Sequence, residues 1–301
     1  VTRVLFLLAP GVHLLDFAGP AQVFSTAADL GLPYTQHHLG ETTDIPTAQG
    51  IVLTAATDWP RSSPDDLIIV PGWRAPTLRG TGTFGAAALE RLTAHHAAGG
   101  TVASVCAGAD ALGRAGLLDG RRCTTHHDVQ DELAARHPRA IVVRDVLYVV
   151  DDRVVTSAGI ASGIDLALHL VASAHGPAQA ARVARAMVVY ARRNGSDPQA
   201  SVMLRHRDHL DDVVHRTQDA LDARFSESLR LPELAAIAGT AERTLTRHFR
   251  RATGMTPLRY QQLLRVERAE HLIEQGSTHE AAARVVGFED ARMLRRLRAR
   301  A

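Results

Sequence analysis

Along the first two-thirds of the chain, two kinds of apolar run alternate. Val4–Leu8 is continuously apolar, as a strand covered on both faces would be. Phe17–Leu30 carries apolar residues at helical spacing and stops at Gly31. Leu67–Val70 is a second buried-strand run, closed by Pro71-Gly72, and Phe84–Ala98 reads as a helix ended by Gly99-Gly100. Thr101–Val105 predicts a third strand and Asp110–Leu118 a helix behind it. Val142–Val150 and Arg153–Thr156 read as strands about a turn at Asp151-Asp152, and Ile164–Ala174 and Ala178–Arg192 as helices. This alternation predicts a mostly parallel sheet with helices on both faces.

The last third changes period. The turn formers Asn194-Gly195-Ser196-Asp197-Pro198 mark a boundary, which predicts a domain over 1–193, a linker over 194–210 and a second domain over 211–301. Asp211–Phe225 is amphipathic, with Val213, Val214, Thr217, Leu221 and Phe225 on one stripe. Leu231–Ala238, Gly239 and Ala241–Thr253 form a short helix, a turn and a helix, the arrangement that reads DNA. Leu258–Glu274 is a long helix able to hold two subdomains at fixed separation, and Thr278–Val286, Gly287 and Asp290–Arg300 repeat the first motif. Leu234 and Ala282, equivalent positions, are 48 residues apart.

The outer face of the first reading helix presents Glu242, Arg243, Thr246 and Arg247 for base edges, with Arg250 further along for phosphate. Arg292, Arg295 and Arg296 are their counterparts in the second motif. Charge agrees with this division. Residues 1–214 hold 18 arginines against 21 acidic residues, a net of −3, whereas residues 215–301 hold 16 against 11, a net of +5. A basic tail domain points to nucleic acid, although +5 alone is also an ordinary solvated surface. No apolar run approaches the ~18 residues of a membrane span, and the apolar start reads as a buried strand, not a leader. Two cysteines give no disulfide framework and fit a reducing, cytoplasmic setting.

Candidate chemistry gathers at Thr101–Asp110, where a β-branched strand runs into Cys106, then Ala107-Gly108, then a helix. This is the layout of a nucleophile elbow, and a helix N-terminus behind the sulfur would lower its pKa. The competing reading is a buried small apolar residue. Cys123 reads as core. The doublets His37-His38 and His95-His96 read as surface, and His206 with His209 lacks further ligands, so no metal site and no cofactor are expected.

Ser104–Ala109, Ala115–Arg122, Thr124-Thr125-His126 and Leu15–Pro20 resemble the PfpI/ThiJ-like domains. Thr156–Ile160 and Gly163–Val171 resemble the subgroup fused to AraC/XylS-type DNA-binding domains, the GlxA-type regulators. Leu234–Gly239, Arg243–Arg250, Thr253–Pro257 and Val286-Gly287-Phe288 resemble the AraC/XylS domain itself. The resemblance implies a flavodoxin-like α/β domain of the class I glutamine amidotransferase kind, followed by an all-α domain with two helix-turn-helix motifs. It implies a sequence-specific regulator of transcription, homodimeric through its first domain, with double-stranded DNA and a small-molecule effector as partners. It places the effector pocket at the strand C-termini, with Asp16, Gly72, Trp73, Cys106, Ala107 and His126 as ligand-binding residues. Cys106, Asp16 and His126 are the catalytic candidates under the alternative, a cysteine-dependent enzyme acting on a small carbonyl or isocyanide-like compound.

Three departures from the family pattern bear on the sites. Trp73 replaces a glycine, putting a large ring where it narrows the pocket mouth or stacks on a cationic ligand. His127 replaces the usual tryptophan. The chain stops at Ala301, before the family's final turn and helix, so the second motif is expected to be weakened and the first to carry most base readout.

Overall fold

The computed structural model describes residues 1–74, 77–78, 84–189, 193–196, 199, 206–274 and 276–299. It divides into two compact units, Val1–Gln199 and Ala200–Ala301.

The first unit is built on β1 (Thr2–Leu7), β2 (Tyr34–Leu39), β3 (Asp44–Pro46), β4 (Val52–Thr54), β5 (Leu67–Val70), β6 (Thr101–Val105), β7 (Arg122–Cys123), β8 (Ile141–Val142), β9 (Tyr148–Asp151) and β10 (Val154–Ser157). Six of these form one sheet in the order β2-β1-β5-β6-β10-β9. Every pairing in it is parallel except the antiparallel edge pair β10·β9. The central strands are sealed on both faces: Val4 to Leu7 and Ile69 to Val70 have no exposed surface. That explains their unbroken apolar runs. Around the sheet lie α1 (Leu14–Asp29), α2 (Ala86–Ala97), α3 (Gly108–Arg114), α4 (Gln130–Arg136), α5 (Ser162–His175) and α6 (Pro177–Ala186). This is the expected flavodoxin-like α/β architecture.

Several bounds differ from the sequence reading. The first helix starts three residues early, at Leu14, and so takes Asp16 into its first turn. The helix after Cys106 is only seven residues long and ends at Arg114, where Gly116 (φ +73°) turns the chain. The predicted strand Val142–Val150 is two short pieces, β8 and β9. β2 pairs along the whole of β1 and was missed because its interior residues, Thr35 to His38, are polar on both faces and hide the pattern. The helix predicted to Arg192 ends at Ala186, and Tyr190–Arg192 lie outside the described residues.

The doublet His95-His96 is not on the surface. His95 is 2% exposed and its Nε2 bonds the Asp66 carbonyl at 3.1 Å. Burial lowers the pKa of both rings. Of the predicted linker, residues 197–198 and 200–205 lie outside the described residues, and its start packs on the first unit. Leu147 donates its N–H to the Gly195 carbonyl at 2.9 Å. Gln199 Nε2 donates to the Thr125 carbonyl at 3.0 Å.

The second unit holds α7 (Asp212–Ala223), α8 (Leu231–Ala238), α9 (Glu242–Thr253), α10 (Pro257–Glu274), α11 (His279–Val285) and α12 (Ala291–Arg298). Asp211 caps α7 by accepting from the N–H groups of Val213 and Val214, and Gly239 ends α8 in the left-handed conformation (φ 67°). One apolar cluster, including Leu221, Leu234, Leu245, Phe249 and Tyr260, forms the core of the first motif. A second, including Val266, Ala283, Phe288, Leu294 and Leu297, forms that of the second. Phe225 packs against both. The second motif is regular: Asp290 caps α12 by accepting from the Met293 N–H at 2.9 Å.

Candidate functional site

The strand ends place the first site. Chain leaving β6 reaches Cys106, whose φ of 54° lies in the left-handed region. A residue with a Cβ is strained there by about 1–2 kcal/mol. Ile160, after β10, is strained in the same way (φ 45°), an unusual state for a β-branched residue. Two such positions in one place form an outlier of the kind found at ligand clamps and active sites. Neighbouring glycines make room. A Cβ on Gly72 would stand 2.6 Å from Asp16 Oδ2 and 2.7 Å from Cys106 Cβ. A Cβ on Gly159 would stand 2.3 Å from Cys106 Cβ.

Asp16 is wholly buried. Its Oδ1 accepts the Ile160 N–H at 2.6 Å, and its Oδ2, with no hydrogen bond to oxygen or nitrogen, lies on the side of Cys106. Burial raises the Asp16 carboxyl, against the lowering effect of the Ile160 N–H. Cys106 is 8% exposed. Burial, and then the charge of Asp16, push its thiol far above the ordinary cysteine range. Of the two readings the layout offered, an activated thiol or a buried small residue, burial prevails at this sulfur. Desolvation outweighs the Ala107 N–H that favours the thiolate.

Above the thiol opens a cavity of about 150 Å³. Trp73, Ala107, Val129 and Ile160 wall it, and His13, His126 and Asp128 rim it. Trp73 is 2% exposed and stands edge-on to Phe84, with centroids 5.9 Å apart. It is a packed wall of the cavity, which fits the narrowing expected of a ring at this position. His126 is half-buried; its Nδ1 accepts the Asp128 N–H at 3.4 Å, and burial, then His127, lower its pKa. Among the described residues, His126, His127 and Asp128 bring one donor atom each within 4.8 Å, a set able to hold an ion. Consecutive residues of this kind match no familiar ligand spacing, so the sequence did not flag them.

Of the six predicted ligand-binding residues, Trp73, Cys106, Ala107 and His126 line the cavity, while Asp16 and Gly72 lie behind the thiol. His13 and Ile160 were missed. His13 stands just before α1 and carried no motif signal, but its N–H bonds the Gly72 carbonyl at 2.9 Å, which places it at the rim.

The second site is the outer surface of α9. Leu245 and Phe249 are fully buried, while Arg243, Arg247 and Arg250 are exposed on the other side of the helix and Glu242 is exposed at its N-terminus. Thr246 is partly exposed, and its hydroxyl donates to the Glu242 carbonyl at 2.9 Å. On α12, Leu294 and Leu297 face inward and Arg292, Arg295 and Arg296 outward. Both helices thus separate an apolar face from an arginine face.

Comparison with known proteins decides the ancestry. The DJ-1/PfpI family matches residues 2–173, and a helix-turn-helix domain matches residues 234–301. The chain belongs to the DJ-1/PfpI family. The HTH-type transcriptional regulator GbdR of Pseudomonas aeruginosa is 31% identical over 60% of this chain and 48% of its own length. The chain thus spans about half of that relative. The HTH-type transcriptional regulator CdhR of the same species is 27% identical over 90% of this chain and 80% of its own. Isonitrile hydratase of Pseudomonas putida is 35% identical over 55% of this chain and 68% of its own. Among solved structures, a THiJ/PfpI family protein from Pseudomonas syringae shares the fold, with a TM-score of 0.57 at 22% identity. It covers 79% of this chain and 90% of its own. The DJ-1/PfpI domain thus carries the cavity, and the helix-turn-helix domain the arginine faces.

Proposed function

We propose that the protein is a sequence-specific DNA-binding regulator of transcription, controlled by a small metabolite that enters the cavity over Cys106. The observation that carries this reading is the display of Arg243, Arg247 and Arg250 on the side of α9 opposite Leu245 and Phe249. A helix bearing exposed arginines in a helix-turn-helix can meet base edges with its first turn and phosphates with its last. Glu242, Arg243, Thr246 and Arg247 take the first role and Arg250 the second, with Arg292, Arg295 and Arg296 on the following groove face. Similarity to GbdR and CdhR supports the reading.

In the DJ-1/PfpI domain, Trp73, Cys106, Ala107 and His126 contact the effector, and Asp16 and Gly72 shape the floor. A neutral thiol and a neutral imidazole would donate or accept hydrogen bonds there. The effector alters DNA binding only so far as it binds two arrangements of the protein with different affinity. The protein acts as a homodimer through this domain, in the cytoplasm where its DNA lies. Among the described residues no helix is long and apolar enough to cross a membrane.

Titration of the full chain against genomic DNA fragments at physiological salt tests the reading. It requires some fragments to bind at least ~1,000-fold more tightly than the rest. Equal binding to all of them overturns it.

A second reading is an enzyme acting on a small carbonyl or isocyanide-like compound. It is favoured by the strained Cys106 and the similarity to isonitrile hydratase. The raised thiol pKa disfavours it, because the thiolate is the nucleophile. Turnover of an isonitrile by the wild type that C106A abolishes would establish it.

A further inference from the structure

The long helix α10 carries a side chain that ties the two helix-turn-helix motifs together. Arg265 Nε donates to the Phe225 carbonyl at 2.6 Å, and its Nη2 to the Glu227 carbonyl at 2.8 Å. Both carbonyls belong to the loop that leads into α8, the first motif. Its Nη1 donates to the Gly287 carbonyl at 2.9 Å, in the turn of the second motif. The guanidinium carbon also sits 5.6 Å from the centre of the Phe288 ring. One turn earlier on α10, Gln261 Nε2 donates to the same two loop carbonyls at 3.0 and 2.8 Å.

The two motifs also touch directly. A Cβ on Gly287 would stand 2.0 Å from the Ser226 carbonyl oxygen, so the turn presses against the loop through backbone alone. Gly287 has a φ of +84°, which its lack of a Cβ permits.

We propose that Arg265 is a positioning residue: it fixes the separation of α9 and α12, and hence the spacing between the two stretches of DNA the protein selects. Resting on the DNA-reading function above, this assigns a task to a residue that points no group at the duplex. The chemistry suits arginine. A planar guanidinium donates in three directions at fixed angles, so one side chain locks a loop and a turn against a helix. A lysine, with its point charge and flexible stem, cannot reproduce that geometry. No carboxylate answers the charge in these bonds; its partners are three backbone carbonyls and one ring. Burial lowers the pKa of the guanidinium, a cost that a simple surface charge would not carry. Spacing matters because adding one base pair moves the second stretch by about 3.4 Å and rotates it by about 35°.

The test uses full-length wild type, R265K and R265A. Sites are first selected by the wild type from random duplex DNA. Affinity is then measured for the selected site, for the same site with one base pair inserted between its two halves, and for the half read by α9 alone. Circular dichroism and thermal melting confirm that each variant is folded. The wild type should lose about tenfold on insertion, the scale of one mismatched position. R265K should lose less than about threefold on insertion, while binding the half-site as the wild type does. If R265A unfolds, R265K alone decides.

A folded R265K that keeps the tenfold insertion penalty overturns the proposal. So does one that weakens the half-site and the full site equally, since that marks a merely structural role. A wild type with no spacing preference also overturns it, while leaving selection of the half-site, and so DNA reading, intact. A wild type that selects no sequence brings down the DNA reading itself.

Discussion

The backbone N–H of Ile160 donates to Asp16 Oδ1 at 2.6 Å, across 144 residues of chain. This bond closes the floor of the cavity over Cys106. It joins the first turn of α1 to the strained residue after β10, and it leaves the second carboxyl oxygen on the thiol side.

Two pH effects follow from Asp16. Burial raises its carboxyl, so its contribution to stability is present in acid and is lost as the pH climbs through the raised value. An asparagine side chain does not titrate, so D16N should gain stability relative to the wild type as the pH rises from about 4 towards neutrality. Parallel chemical denaturation across that range checks the sign. Cys106 responds at the other end. Its thiol loses a proton only in alkali, where Asp16 is ionised and opposes the change. D16N should therefore react with a thiol reagent at lower pH than the wild type, and superimposable pH profiles would contradict this.

A second buried carboxylate, Asp110, ties α3 to the end of α4. This buried carboxylate on α3 accepts from Arg136 Nε at 2.9 Å and lies 2.9 Å from His137 Nε2, next to α4. Burial alone would raise the carboxyl, but the hydrogen bonds from His137 and Arg136 more than reverse that and lower it. Its stabilisation is thus present above the ordinary carboxylate range and fades as the pH falls through the lowered value. D110N should cost about 1–3 kcal/mol at neutral pH, because the guanidinium loses its charged acceptor. The gap to the wild type should narrow below about pH 4. Urea melts at two pH values measure both.

The core of the first motif depends on Phe249. It is fully buried and stands edge-on to Tyr260, with centroids 5.7 Å apart. Tyr260 in turn donates its hydroxyl to Asp222 at 2.9 Å. F249A should destabilise the helix-turn-helix unit by about 3–5 kcal/mol. The loss of DNA binding should follow the loss of helicity on heating.

The arginines of α9 divide by task. R243A should cost about 1–3 kcal/mol on the selected sequence and relax preference at one or two base positions. R250A should weaken all sequences alike and reduce the slope of log affinity against log salt by about 1. Measured salt dependence separates them, and equal slopes for the two variants would contradict the assignment.

The alternation of strand and helix was legible because the central strands are buried on both faces and are mostly apolar, with only small hydroxyl residues such as Ser104 and Thr156 among them. Leu231–Ala238 was legible to the residue, since Pro232 opens it and Gly239 closes it. The edge strand β2 was not, because polar side chains cover half of it. At the cavity, Cys106, Asp16 and His126 were visible through motif and resemblance. Ile160 was not, because a β-branched residue gives no sign in sequence of a left-handed conformation. The choice between the two readings of Cys106 was also hidden. Sequence shows a helix behind the sulfur but not the burial that overrides it. His95 was misplaced for the same reason: only its carbonyl partner at Asp66 and the close approach of Gly100 reveal that it lies inside.

The central claim is that the arginine faces of the second unit read DNA sequence. The most direct measurement is the affinity of full-length wild type and of R243A/R247A for a selected site and for an unrelated duplex, at physiological salt. The account predicts a wild-type preference of at least ~1,000-fold that falls by about tenfold or more in the variant. A folded double variant that keeps the full preference, or a wild type with none, would contradict it.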